Sequence, residues 1–262
     1  MKSLKGKTAL ITGASTGIGE AFAHELASRG CNLIITARTT HRLEEIAAKV
    51  KALYKVKVTV FTADLFDPGA AHYIFDSCQK EGLQVDILVN NAGFGKFTDF
   101  LDETMQTYEE MMQINMVVLM QLSHLFLPQM LKKADGGIIN IASTGAFQPC
   151  PFVALYCATK AFVLSFSEAL YGEYINKGIV VTAVCPGNTQ TDFFKVANAG
   201  TKDMRFDTTA KVAKEGVDAF LAKKNYKVIG FKNYLSSLSS RFFTRRMVLM
   251  SAAGMFKKRV KG

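Results

Sequence analysis

This 262-residue chain lacks several things, and each absence narrows what it can be. No run of about 18 or more apolar residues occurs, so no membrane-crossing helix is expected. The opening Met1-Lys2-Ser3-Leu4-Lys5-Gly6-Lys7 has no apolar core of the secretory kind. The five cysteines (Cys31, Cys78, Cys150, Cys157, Cys185) form no C-x-x-C pair, and reduced thiols in a cytoplasmic protein are expected. The four histidines (His24, His41, His72, His124) show no H-x-x-x-H or Cys/His spacing, so no metal site is expected. Low-complexity tracts are absent and 49% of the residues are apolar, which fits a folded domain rather than a disordered chain. Acids are missing from Arg241 to the end, where seven bases stand (Arg241, Arg245, Arg246, Lys257, Lys258, Arg259, Lys261). Taking that +7 from the net +10 leaves +3 for the first 240 residues. The basicity therefore belongs to a tail with a local partner, and a nucleic-acid-binding domain is not expected.

Short β-branched runs alternate with longer helical patterns. Strands are predicted at Lys7–Thr12, Asn32–Ala37, Lys57–Thr62, Asp86–Val89, Gly137–Ala142, Val180–Cys185 and Tyr226–Gly230. Helices are predicted over 17–29, 39–53, from Asp67-Pro68-Gly69 onward, 103–132 and 153–177. This alternation predicts an α/β fold: a Rossmann-type, doubly wound parallel sheet of about seven strands with helices on both faces. No internal linker is visible. Residues 1–231 read as a single dinucleotide-binding and catalytic domain, and 232–262 as a basic, partly apolar appendage.

The first strand runs into Thr12-Gly13-Ala14-Ser15-Thr16-Gly17-Ile18-Gly19 and then a helix. Free N–H groups and the helix dipole make that junction a pyrophosphate site, unless it is only a turn. A carboxylate is missing again at the end of strand two, where Ala37-Arg38 stands. Arg38 suits the 2′-phosphate of NADP, with Arg42 adding to the field, although a solvated arginine would look the same. After strand three, Asp64 suits either the adenine amino group or a helix N-cap. Asn90-Asn91-Ala92-Gly93 ends strand four, and Ser143 ends strand five at the carboxyl edge where such sheets hold ligands. Tyr156 and Lys160, four residues apart on one helix, share a face. A free phenol has a pKa near 10, and a cation within about 4–6 Å lowers it. Such a pair could move a proton while a hydride moves.

In order and spacing, these residues resemble the short-chain dehydrogenase/reductase family over about residues 5–231. The match comprises TGxxxGIG at Thr12–Gly19, NNAG at Asn90–Gly93, Asn115, Ser143, Tyr156-x-x-x-Lys160, and Pro186-Gly187 with Thr191. The Asn-Asn-Ala-Gly-Phe-Gly stretch and the basic tail look like a bacterial subgroup. The resemblance implies an NADP(H)-dependent oxidoreductase interconverting a carbonyl and an alcohol. Tyr156 would be the general acid/base, with Lys160 lowering its pKa and holding the nicotinamide ribose. Ser143 would position the substrate oxygen, and Asn115 would hold a relay water. Gly13, Ser15, Thr16, Gly17, Ile18, Gly19, Arg38, Asp64, Asn91, Ala92, Gly93, Tyr156, Lys160, Pro186, Gly187, Thr189 and Thr191 would contact the cofactor. A homodimer or homotetramer is implied as well. An NADPH-sensing regulatory protein is the alternative, but a sensor needs no proton donor.

Around Ser143 and Tyr156 the sequence offers the loop Gln148–Val153, Phe94, Phe97, Phe193, Phe194, Met204 and Phe206. An apolar carbonyl or alcohol substrate is therefore expected. Lys96, Lys195 and Arg205 are the only evident anion clamps. The tail has three readings: an oligomer contact, a cover on the substrate pocket, or contact with anionic lipid. A cytoplasmic protein, peripheral to a membrane if the last holds, is expected.

Overall fold

The computed structural model describes residues 3–202 and 204–260. Lys261, one of the tail bases counted above, lies outside the described residues. Seven strands form one sheet: β1 (Thr8–Thr12), β2 (Asn32–Ala37), β3 (Val58–Thr62), β4 (Ile87–Asn90), β5 (Gly136–Ile141), β6 (Ile179–Cys185) and β7 (Tyr226–Val228). Their order is β3-β2-β1-β4-β5-β6-β7, and every pairing is parallel. The doubly wound sheet expected from the sequence is present, with strand limits shifted by one or two residues.

Eleven α-helices accompany the sheet among the described residues: α1 (Gly17–Ser28), α2 (Thr40–Tyr54), α3 (Ala70–Lys80), α4 (Met105–Met112), α5 (Leu119–Lys133), α6 (Ala154–Tyr174), α7 (Phe193–Val196), α8 (Thr209–Leu221), α9 (Phe231–Ser237), α10 (Ser239–Phe242) and α11 (Arg245–Lys257). Pro68 precedes α3 rather than sitting in its first turn, because the helix begins only at Ala70. The expected helix over 103–132 is α4 and α5 joined by a π-helical stretch, Gln113–Val118. Such wide turns commonly sit at functional positions, and this one carries Asn115.

Alternation along the strands sorts the core onto two faces. Ala9 and Ile11 of β1 pack toward Phe22, Leu26, Leu43, Val217 and Phe220 on one side. Leu10 packs toward Ile74, Leu122, Phe126 and Met130 on the other. All residues of β5 and β6 are buried, as strands covered on both faces require. Phe22, Phe126 and Phe220 are fully enclosed, each contributing roughly 1.5–3 kcal/mol by burial. The combined helix Met105–Lys133 is long and apolar enough to cross a membrane by length and composition, although its apolar residues form no uninterrupted run. Its apolar face is instead used in the core, through Tyr108, Met111, Val118, Leu122, Phe126 and Met130.

Candidate active site

The strand order reverses between β1 and β4, and the two strand ends are stapled there. Thr12 Oγ1 accepts from the N–H groups of Asn91 (3.0 Å) and Ala92 (3.1 Å). Asn91 Nδ2 donates back to the carbonyls of Thr12 (2.9 Å) and Gly13 (3.1 Å). This is the switch point at which open α/β sheets bind ligands. A single cavity of about 750 Å³ opens from it, lined by the carboxyl-end loops of β1 through β6.

At the start of α1, Gly13, Ser15, Thr16, Gly17 and Ile18 line the cavity. Gly13 and Gly17 both have φ of +63°, a conformation that side chains rarely adopt. Gly19 does not line the cavity. It is buried in the packing of α1 on the turn, where an added Cβ would collide with the carbonyl oxygen of Gly13. Helix start, turn and cavity wall fit a dinucleotide pyrophosphate.

At the far end of the cavity, Arg38 stands exposed with its guanidinium carbon 5.0 Å from the Phe66 ring centroid. Arg42 does not join it, because its guanidinium pairs with Glu45 at 2.6 Å, away from this cavity. Asp64 lines the cavity and accepts from the Phe66 N–H at 3.1 Å. It does not cap α3, where Asp67 instead accepts from the Gly69 N–H at 2.7 Å.

Ser143, Tyr156 and Lys160 meet in the middle of the same cavity. Ser143 closes a short 3-10 turn by accepting from the Gly145 N–H at 3.1 Å. Thr144 N–H donates to the Pro186 carbonyl at 2.9 Å, which joins that turn to the loop after β6. Lys160 Nζ lies 5.8 Å from the Tyr156 ring centroid and donates to the Ile141 carbonyl at 2.7 Å. Burial drives the lysine pKa down to about 8. In this geometry the ammonium bonds a backbone carbonyl and not the phenol oxygen. Burial pushes the Tyr156 phenol up, with the neighbouring thiols Cys157 and Cys150 adding to it and Ser143 opposing. The ammonium is aimed at a carbonyl, and the site favours a protonated phenol.

Asn115 is buried behind this group and does not line the cavity. Its Oδ1 accepts from the Phe94 N–H (3.1 Å), and its Nδ2 donates to the Phe94 carbonyl (2.9 Å) and to Thr159 Oγ1 (3.0 Å). The side chain expected to hold a water therefore ties the loop after β4 to α6.

Ala92 and Gly93 line the wall opposite, as do Pro186, Gly187, Thr189 and Thr191. Thr191 Oγ1 accepts from the Phe193 N–H at 3.2 Å and so holds the start of α7. Beyond Tyr156 the cavity becomes apolar, with Phe94, Phe97, Val153, Phe193 and Phe194 on its walls. Met204 packs against this cluster without lining the cavity, and neither Phe206 nor the stretch 149–152 lines it. Of the three expected clamps, only Lys96 reaches the cavity, 4.0 Å from Glu103, while Lys195 and Arg205 lie outside it. Sequence reasoning missed Asn233, Ser236, Ser237, Met255, Phe256 and Arg259, which come from the segment expected as an appendage. An antiparallel bridge between Ala199 and Val260 brings that segment over the pocket. The basic run was visible in the sequence, but its distant partner, Ala199, was not.

A glycine turn, a Ser–Tyr–Lys group and an apolar chamber share one cavity. The family model for short chain dehydrogenase fits residues 7–202. The chain belongs to the short-chain dehydrogenase family. This short-chain dehydrogenase is 37% identical over 199 residues to the very-long-chain 3-oxoacyl-CoA reductase of Anas platyrhynchos. That match takes in 73% of the chain and 62% of the duck protein, so the chain spans less than two thirds of its relative's length. The short-chain dehydrogenase from Sphingobium yanoikuyae in complex with NADPH superimposes with a TM-score of 0.82 at 30% identity. That match covers 94% of this chain and 95% of the other. The bulky-bulky ketone specific alcohol dehydrogenase from Comamonas testosteroni gives a TM-score of 0.78 at 28% identity, with 90% and 92% covered. Relatives from a duck and from bacteria establish the family but not the expected bacterial subgroup.

Proposed function

We propose that this enzyme reduces the 3-oxo group of an acyl thioester with NADPH. The observation that carries the reading is the placement of Ser143, Tyr156 and Lys160 in one cavity between the glycine turn of α1 and the phenylalanine-lined chamber. The names of the vertebrate relatives supply the substrate class. The chemistry of NADPH, held at the glycine turn, would be hydride transfer to the carbonyl carbon. The chain does the rest. Ser143 and Tyr156 donate hydrogen bonds to the carbonyl oxygen as negative charge develops there, and Tyr156 Oη gives up its proton to complete the alcohol. A phenol held protonated by its surroundings is in the correct state for the reductive direction. Lys160 and the Pro186–Thr191 loop orient the nicotinamide half. Arg38 engages the 2′-phosphate, which selects NADP over NAD. Phe94, Phe97, Phe193 and Phe194 exclude water around the acyl chain.

The test is NADPH oxidation with a panel holding a 3-oxoacyl thioester, a steroid ketone and an aromatic ketone. The reading expects the thioester to have the highest kcat/KM. Tyr156-dependent turnover that favours the steroid or the aromatic ketone would replace the substrate class and keep the chemistry.

A further inference from the structure

The tail contributes a cation to the chamber, and no ion pair holds it among the described residues. Arg259 lines the cavity, its guanidinium carbon 5.5 Å from the centroid of the Phe256 ring. Among the described residues no carboxylate lies within ion-pair distance of it, and burial alone depresses its pKa. Lys96, which also lines the cavity, faces Glu103 at 4.0 Å, and Lys160 is engaged by the Ile141 carbonyl. The backbone at Arg259 is pinned: its carbonyl accepts from the Gly200 N–H at 2.9 Å, and its own N–H donates to the Phe256 carbonyl at 2.9 Å. Phe256 is fixed in turn against Phe97, with ring centroids 6.1 Å apart. A half-buried guanidinium without an acid is costly to keep, and its planar fork suits phosphate and carboxylate oxygens.

We propose that Arg259 is a specificity-determining residue that binds an anionic group, phosphate or carboxylate, carried by the carbonyl substrate. The C-terminal segment then does more than cover the chamber: it selects charged carbonyl compounds over neutral ones of equal apolar size. The inference rests on the reading that the chamber beside Tyr156 holds the carbonyl substrate. It does not require that substrate to be a thioester. Charge-assisted bonds of this kind are worth roughly tenfold or more in affinity.

The test is calorimetric binding to the full chain saturated with NADP⁺, for wild type, Arg259→Met and Arg259→Lys. Two matched pairs are used. The first is 3-oxodecanoyl-CoA against the neutral N-acetylcysteamine thioester of the same acyl chain. The second is 4-benzoylbenzoate against its methyl ester. The expected result is that a charged member binds wild type about tenfold more tightly than its neutral partner. That preference disappears in Arg259→Met and is largely restored in Arg259→Lys, with NADPH affinity unchanged throughout. A response from the CoA pair assigns the anion to carrier phosphates, and one from the benzoate pair assigns it to a carboxylate. Equal affinity of wild type for charged and neutral members overturns the proposal. So does a Met variant that weakens both members alike or weakens NADPH. Turnover of the same compounds separates the two claims. Thioesters left unreduced while Arg259 still discriminates the benzoate pair would sink the thioester reading alone, whereas thioester turnover without charge preference would sink the clamp alone.

Discussion

Lys160 Nζ donates to the carbonyl oxygen of Ile141 at 2.7 Å, which locks the lysine of α6 to the end of β5. The ammonium is almost fully enclosed there, and burial lowers its pKa from the ordinary 10.5 to about 8. Between those two values the unfolded chain keeps a proton that the folded chain has released. Stability should therefore rise with pH across that window. Lys160→Met removes this dependence. Thermal melts of both proteins at about pH 7 and about pH 10 check it: the wild type should gain on the variant as pH rises. A constant difference between them would mean that Lys160 titrates normally.

Arg38 should set the choice of cofactor. NADPH is expected to bind at least about tenfold more tightly than NADH, since one charge-assisted bond contributes roughly 1.5–3 kcal/mol. Arg38→Ala should weaken NADPH by about that factor and leave NADH almost unchanged. Calorimetry on both proteins with both cofactors decides it. Equal wild-type affinities would return Arg38 to the role of a solvated arginine stacked on Phe66.

Asn115 should matter first as a tether. Asn115→Leu leaves both backbone groups of Phe94 without their side-chain partner and removes the bond that the Thr159 hydroxyl accepts, although that hydroxyl still donates to the Tyr156 carbonyl, at a cost of about 1–3 kcal/mol. Urea unfolding should show that loss, and NADPH affinity should fall with it because the loop after β4 loosens. Full stability with lost turnover would instead restore the water-relay role implied by the family resemblance.

Most of the fold could be read from the sequence because it is written locally. Apolar runs such as Leu33–Ile35 and Val180–Val184 can only be covered strands, and Tyr156 and Lys160 declare themselves by helical spacing. Three features could not be read, and each depends on distant contacts. The π-helical stretch around Asn115 departs from the helical period only to meet Phe94 and Thr159. Arg42 lies in the first turn of α2, four residues after Arg38, yet its guanidinium pairs with Glu45. Arg259 reaches the chamber through the pairing of Ala199 with Val260, residues 61 positions apart (260 − 199). Helical spacing gives the proximity of Tyr156 to Lys160 but not the direction of the ammonium, which bonds the Ile141 carbonyl.

The most direct test of the account is Tyr156→Phe, with NADPH oxidation by a 3-oxoacyl thioester and NADPH affinity measured on the same preparation. Loss of the proton donor should lower kcat by roughly 10²–10⁴-fold and leave NADPH affinity within about twofold, because general acid catalysis of this kind is worth about that much. Near-normal turnover in the Phe variant would remove Tyr156 from the chemistry and contradict the account.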